Sequence, residues 1–311
     1  MGKEGFRQKL LAIAEEEVEW FPAWGKNRMT AMLENRPDWC ISRQRSWGVP
    51  IPAVYCEDCG TTHLTPQIMR SVASVVRKEG LDVWFTKSVS HFLGEDFKCD
   101  KCGSAKLAKE GDILDVWFDS GVSWYAVLKA RNLPDADLYL EGSDQHRGWF
   151  QSSLIPSAGI RGQAPYRQVL THGFLLDEKG RAMSKSVGNV VAPEKIIKEY
   201  GADMLRLWVT TQDYAEDMRI GDNVLKQTAD AYRKIRNTFR FILGNLYDFD
   251  AAKDKIPFEK LNPIDKWALS RLKGVIAESL ADYEKYNFNG IYKRVYHFTN
   301  LEISAFYFDI L

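Results

Sequence analysis

One lysine set between two hydroxyls, Met183-Ser184-Lys185-Ser186, with Gly180 before it and Gly188 behind, has the composition of a phosphate-handling loop. A lysine there can neutralise charge as it develops on a polyphosphate, because nucleotidyl and phosphoryl transfer are catalysed mainly by positioning and electrostatics. Taken alone, a Ser-Lys-Ser triplet is more often an ordinary loop. Upstream, Glu141 at a strand end can hold an ammonium group, Asp144 and Gln145 can hydrogen-bond sugar hydroxyls or a base, and Gly142 lets backbone approach a ligand closely. Cys56-x-x-Cys59 and Cys99-x-x-Cys102, each continued by a glycine, are two knuckles whose four thiolates suit a closed tetrahedral Zn²⁺ site better than disulfides. Arg43 and Arg45, two apart on extended chain, suit recognition of phosphate or carboxylate, and a surface pair of salt-bridging arginines fits them equally well.

These groups need elements to hold them. From Tyr139 to Asn189 two polar, glycine-punctuated segments flank an apolar middle, which predicts strand, crossover helix and strand, with both polar segments at strand ends. Residues 3 to 20 predict an amphipathic helix through Phe6, Leu10, Ile13 and Val18, broken by Trp20-Phe21-Pro22-Ala23-Trp24-Gly25. Arg36-Pro37-Asp38-Trp39 marks a boundary, and the helix that opens the chain predicts further protein before it. Alternation between Trp39 and Tyr55 predicts two short strands. The 39 residues between the knuckles call for an inserted hairpin or helix over Pro66 to Leu93. Cys40, outside the knuckle pattern, reads as a small buried apolar residue. Asp112 to Gly121 reads as an apolar strand entering a turn, with Trp117 as core. Trp124 to Lys129 begins a helix, and Ala192-Pro193-Glu194 starts another that Gly201 ends. Beyond Lys226, the stripes Tyr232-Ile235-Phe239-Ile242-Leu246, Ile264-Trp267-Leu272-Val275-Ile276-Leu280 and Ile291-Val295-Phe298-Leu301 predict a helical bundle. Arg233, Lys234, Arg236 and Arg240 lie off the first stripe and could meet RNA backbone, or simply be solvated.

Composition bounds the partners. The 42 basic and 42 acidic residues among 311 cancel, so a polyanion must be met by a local patch. Ten Trp, 13 Tyr and 16 Phe favour thick cores and stacking pockets over a disordered chain. No apolar run reaches the roughly 18 residues of a membrane span and no secretory layout opens the chain, which predicts a soluble cytosolic protein of about two domains.

Arg36-Pro37-Asp38-Trp39-Cys40-Ile41-Ser42-Arg43-Gln44-Arg45-Ser46-Trp47-Gly48-Val49-Pro50, Asp115-Val116-Trp117-Phe118-Asp119-Ser120-Gly121, Glu141-Gly142-Ser143-Asp144-Gln145-His146-Arg147-Gly148-Trp149 and Met183-Ser184-Lys185-Ser186 follow one another in the order found in class I aminoacyl-tRNA synthetases. Together they resemble the isoleucyl branch more closely than the valyl or leucyl relatives. The resemblance implies an α/β fold: the second half of a Rossmann-like nucleotide-binding domain over 37–225 with a zinc-knuckle insertion at 56–110. Residues 1–36 would be a helical segment trailing the family's editing insertion, and 226–311 the start of an α-helical anticodon-binding bundle. It further implies that Glu141, Gly142, Asp144, Gln145 and Met183 meet ATP or the adenylate, and that Lys185, flanked by Ser184 and Ser186, acts on the ATP phosphates. Trp117 and Trp149 would wall the isoleucine pocket, which reverses the reading of Trp117 as core. Implied partners are isoleucine, Mg²⁺-bound ATP, tRNA(Ile), Zn²⁺ and the family's amino-terminal half.

The chain departs from the family pattern in three respects. Ala182 stands where the signature loop begins with lysine. No His-x-Gly-His segment occurs, since His63, His91, His146, His172 and His297 are isolated. The editing domain is absent from these residues. Two classes follow, an enzyme whose activity needs the amino-terminal half, and a non-catalytic tRNA-binding or zinc-stabilised module on the same fold.

Overall fold

The computed structural model describes residues 3–311. In chain order the first elements are helix α1 (Lys3–Glu16), strand β1 (Glu19–Phe21) and helix α2 (Trp24–Glu34), so the opening segment is helix, strand, helix rather than wholly helical. Strands β2 (Ser42–Arg43), β3 (Val54–Cys56) and β4 (Thr62–His63) precede helices α3 (Pro66–Glu79), α4 (Val83–Thr86) and α5 (Val89–Leu93). Then come β5 (Leu107–Lys109), β6 (Ile113–Leu114), helix α6 (Val116–Gly121), β7 (Ala136–Gly142), α7 (Trp149–Ile160) and β8 (Tyr166–His172). The expected strand, helix, strand layout is therefore β7, α7 and β8, and the sheet order is β1-β8-β7. The chain continues through β9 (Leu175–Leu176), α8 (Pro193–Tyr200), α9 (Ala202–Thr211), β10 (Met218–Arg219), α10 (Asp222–Gly244), α11 (Pro263–Tyr283) and α12 (Phe288–His297). The first bundle helix thus begins at Asp222, one turn before Lys226.

By its contacts the chain divides into two units. The first holds residues 3–19, 25–139 and 144–169, and the second holds 20–24, 140–143 and 170–311. In the first, β4, β3 and β5 make a small antiparallel sheet, with Val54 opposite His63 and Lys109. The insertion between the knuckles is helical. Thr65 caps α3 by accepting the Ile68 N–H at 3.3 Å, Pro66 fills its first turn, Arg77 and Lys78 face the dipole at its end, and Gly80 closes it. Val54, Ile68, Val72, Val83, Trp84 and Phe92 form its core. In the second unit, Ile196, Met204, Trp208, Ile220, Leu225 and Ala229 form a core against which Leu175, Met183 and Val191 pack.

Two expectations are corrected here. Asp112 to Gly121 is not one strand: only Ile113–Leu114 is extended, and Val116–Gly121 is a helix. The cause is Asp115, whose carboxylate accepts the Trp117 N–H at 3.1 Å and so caps α6. Cys40 is exposed, not buried, and its thiol is drawn below its usual range by hydrogen bonding to Ser42. The two short strands expected between Trp39 and Tyr55 are Ser42–Arg43 and Val54–Cys56, and Trp47 between them is 89% exposed.

Candidate adenylation site and thiolate cluster

The two knuckles are the same turn made twice. The Gly60 N–H reaches the Cys56 carbonyl at 2.9 Å and the Gly103 N–H reaches the Cys99 carbonyl at 2.8 Å, and both glycines take the positive φ that the turn demands. The turns face each other, with Cys56 Sγ 3.5 Å from Cys102 Sγ and Cys59 Sγ 3.6 Å from Cys99 Sγ, and all four sulfurs lie within 4.8 Å of one another. A tetrahedral Zn–S₄ centre with bonds of about 2.3 Å has edges of about 3.8 Å, so the donor set fits the metal. All four cysteines are free, and these separations are far beyond a sulfur–sulfur bond. The thiols perturb one another. Hydrogen bonds at Thr61 draw Cys59 down to about 6; at Cys102 a backbone hydrogen bond at Ser104 pulls the thiol down, but the Cys59 and Cys56 sulfurs win and raise it to about 12.

In the first unit, α6 delivers Trp117 and α7 delivers Trp149. Trp149 is fixed on two sides: its ring stacks on Tyr139 at 3.9 Å and 11°, and its indole N–H donates to the Ser120 carbonyl at 3.0 Å. Trp117 is 43% exposed, which removes it from the core, and it lies against the α7 start, where a Cβ on Gly148 would stand 3.0 Å from its ring. Gln145 Oε1 accepts the Trp149 N–H at 2.9 Å and thereby caps α7, while its Nε2 donates to Asp144 at 2.9 Å. Asp144 itself is exposed. Asp115, to which sequence reasoning gave no role of its own, takes hydrogen bonds from Trp39 Nε1 at 3.0 Å and from Arg43 besides capping α6. Arg43 is thus used in an ion pair with the buried Asp115. Asp119, on α6, is raised by burial and by the Asp115 charge.

Contact between α6 and α7 leaves no room at Gly121, where a Cβ would lie 2.2 Å from the Ser152 carbonyl oxygen. Gly121→Ala is therefore expected to cost about 1 to 3 kcal/mol by overpacking. Urea unfolding of the two proteins measures it, and equal stability would contradict this packing.

In the second unit lie Glu141, Gly142 and the signature loop. Glu141 is exposed, its carboxylate 3.3 Å from the Gly142 N–H, and Gly142 is buried. The loop leaves β9, turns at Asp177–Gly180, and returns at Ala182, which bridges Leu176. Met183 packs into the second core and anchors the loop there. Ser184 Oγ and Ser186 Oγ are 3.1 Å apart, the Gly188 N–H reaches the Ser184 carbonyl at 3.1 Å, and Lys185 is exposed at the tip. Asp177 is 8% exposed and lies below the loop. It accepts Asn189 Nδ2 at 3.0 Å, the backbone N–H groups of Lys179 at 3.0 Å and Arg181 at 2.9 Å, and Arg181 Nε at 2.9 Å. Asn189, then the Arg181 backbone, hold this carboxylate well below its usual range. Neither Asp177 nor Asn189 was singled out from sequence, because nothing in a sequence joins an aspartate to an asparagine twelve residues on.

Residues 3–221 match the family of "tRNA synthetases class I (I, L, M and V)". The chain belongs to that family. Residues 265–311 match the anticodon-binding domain of tRNA ligases. Among curated relatives, the chain is 57% identical over 302 residues to an isoleucine–tRNA ligase of Sulfurihydrogenibium sp., a match covering 95% of this chain and 32% of that protein. It is 53% identical over 316 residues to the isoleucine–tRNA ligase of Aquifex aeolicus, covering 100% of this chain and 33% of that protein. The chain thus spans about a third of the length of these relatives. Its class I fold is similar to that of Agrobacterium radiobacter LeuRS in ternary complex with tRNA and LeuAMS, with a TM-score of 0.68 at 23% identity over 86% of this chain and 36% of that one. A Mycobacterium tuberculosis methionyl-tRNA synthetase in complex with methionyl-adenylate superposes with a TM-score of 0.64 at 18% identity over 98% of this chain and 51% of that one. No helix among the described residues is long and apolar enough to cross a membrane.

Proposed function

We propose that this chain is a part of an isoleucine–tRNA ligase, which joins isoleucine to ATP as isoleucyl-adenylate and passes the aminoacyl group to tRNA(Ile) in the cytosol. Identity of 57% to an isoleucine–tRNA ligase over 95% of the chain carries this reading. The paired tryptophans beside Asp144 and Gln145 are consistent with it: an apolar wall adjoins groups suited to a nucleoside. Residues 37–225 would be the second half of the catalytic domain, 56–110 its zinc-binding insertion, and 226–311 the start of the anticodon-binding bundle.

In the first step a carboxylate oxygen of isoleucine bonds to the α-phosphorus of ATP as the bond to the leaving pyrophosphate breaks. Mg²⁺, where bound with ATP, would supply charge neutralisation on the phosphates. Glu141 would hold the isoleucine ammonium, and Asp144 and Gln145 the nucleoside. Gly142 would allow close approach of backbone. Lys185 would meet the negative charge that moves onto the pyrophosphate, with Ser184 and Ser186 beside it and Met183 holding the loop on its core. Zn²⁺ at Cys56, Cys59, Cys99 and Cys102 would be structural, since four thiolates leave no open position.

Pyrophosphate exchange by a full-length ligase carrying this chain tests the reading. Isoleucine should support exchange, and valine should also, because valine fits the same walls and leaves only a void. Isoleucine against valine is the standard illustration of this limit, one methylene being worth about 1 to 3 kcal/mol in an apolar pocket. A preference beyond roughly ten-thousandfold would exceed what a methylene supplies and contradict the pocket. Methionine or leucine activated ahead of both would move the chain to a sister branch.

A further inference from the structure

The signature loop is held by a pair of side chains outside its motif. Asn189 Oδ1 accepts the Ser184 N–H at 2.9 Å, while its Nδ2 donates to the Ala182 carbonyl at 3.1 Å and to Asp177 at 3.0 Å. A single amide therefore ties both sides of the Ser184-Lys185-Ser186 turn to one buried carboxylate. Asp177 in turn is locked by the tight turn that its own chain makes, where its oxygens take the N–H groups of Lys179 and Arg181. The next residue, Glu178, takes the Asn223 N–H at 3.0 Å, which ties the same turn to the start of α10. Lys185, with four rotatable side-chain bonds and no partner of its own among the described residues, can place its ammonium reproducibly only if its backbone is held.

We infer that Asp177 and Asn189 are positioning residues for Lys185: the Asp177–Asn189–Ser184 chain of hydrogen bonds sets where the lysine stands, and neither residue touches substrate. This rests on the reading above that Lys185 acts on the triphosphate.

The asparagine isostere Asp177→Asn keeps size and places two amides face to face, breaking the link to Asn189 without opening a cavity. In pyrophosphate exchange by the full-length ligase carrying this chain, Asp177→Asn should lower kcat about a hundredfold, as an ångström of misplacement does, and change KM for ATP far less. Asn189→Ala should do the same. The decisive comparison is in a Lys185→Ala background, where Asp177→Asn should add little, because the group it positions is gone. Equal losses in both backgrounds would mean that Asp177 serves the fold generally, and an unchanged kcat would mean that it serves nothing here; either overturns the inference. Amide exchange at Ser184, measured on this chain itself, gives a readout independent of activity, and should quicken in Asn189→Ala. If the unsubstituted ligase activates no amino acid, the functional reading fails and the Ser184 amide alone decides the clasp, an unchanged rate sinking it.

Discussion

Lys185→Ala, made in a full-length ligase carrying this chain, should lower the rate of adenylate formation by about two to three orders of magnitude, the cost of losing one preorganised charged donor. The argument is differential. Lys185 is exposed at the tip of a loop whose base is fixed by Met183 in the core and by Asn189 on Ser184, so its ammonium meets solvent before the reaction. Ground-state ATP gains little from a hydrated ammonium, whereas charge arriving on the leaving pyrophosphate gains much. The loss should therefore appear in kcat and in kcat/KM nearly equally, with binding of ATP almost unchanged. Ala182 sharpens the expectation. Where the family loop begins with a second lysine, this chain offers only backbone, whose carbonyl is already taken by Asn189. Lys185 is then the one cation within Ala182 to Gly188, and the adjoining Arg181 is paired with Asp177. A single-turnover measurement of adenylate formation decides this, and an effect confined to KM would refute the role.

Removing the metal should have the second large effect, on folding rather than rate. Protein purified under reducing conditions should hold one Zn²⁺ per chain, and Cys56→Ser or Cys99→Ser should abolish it. Structural zinc in small domains contributes on the order of 10 kcal/mol of apparent binding energy at neutral pH. Without a cation the four sulfurs crowd within 4.8 Å of one another with nothing to bridge them. A chelator should accordingly loosen the two turns around 56–63 and 97–107. Helices α3 to α5 should respond less, because Trp84 and Phe92 give them a core of their own. Amide exchange with and without chelator resolves the two regions. Protein with no stoichiometric zinc would remove the proposal.

Much of this molecule was legible in the order of its residues. The knuckles were, because metal coordination constrains spacing within a few residues and a glycine must follow. So were α10 and α11, whose apolar stripes repeat at helical period over many turns, and the strand, helix, strand layout on either side of the central apolar segment. The signature motifs, read together, also sufficed to place the chain in its family. Each of these features is local, or a sum of local features along the chain.

What needed the tertiary structure was every decision made by a distant neighbour. Val116–Gly121 has the apolar content of a strand, and a short apolar run has no period long enough to tell helix from strand; Asp115, held by Trp39 and Arg43, made it a helix by capping it. Cys40 became exposed because burial depends on which elements pack above a residue, not on its type. Glu19–Phe21 became a strand only by lying beside β8, far along the chain. Trp149 could be named as a pocket wall from its motif, but its rigidity comes from Tyr139 and Ser120. In the same way the sequence by itself determined that a lysine stands between two serines, and only the fold decided that Asp177 and Asn189 hold it, because hydrogen bonds between side chains depend on distances that the backbone path alone sets.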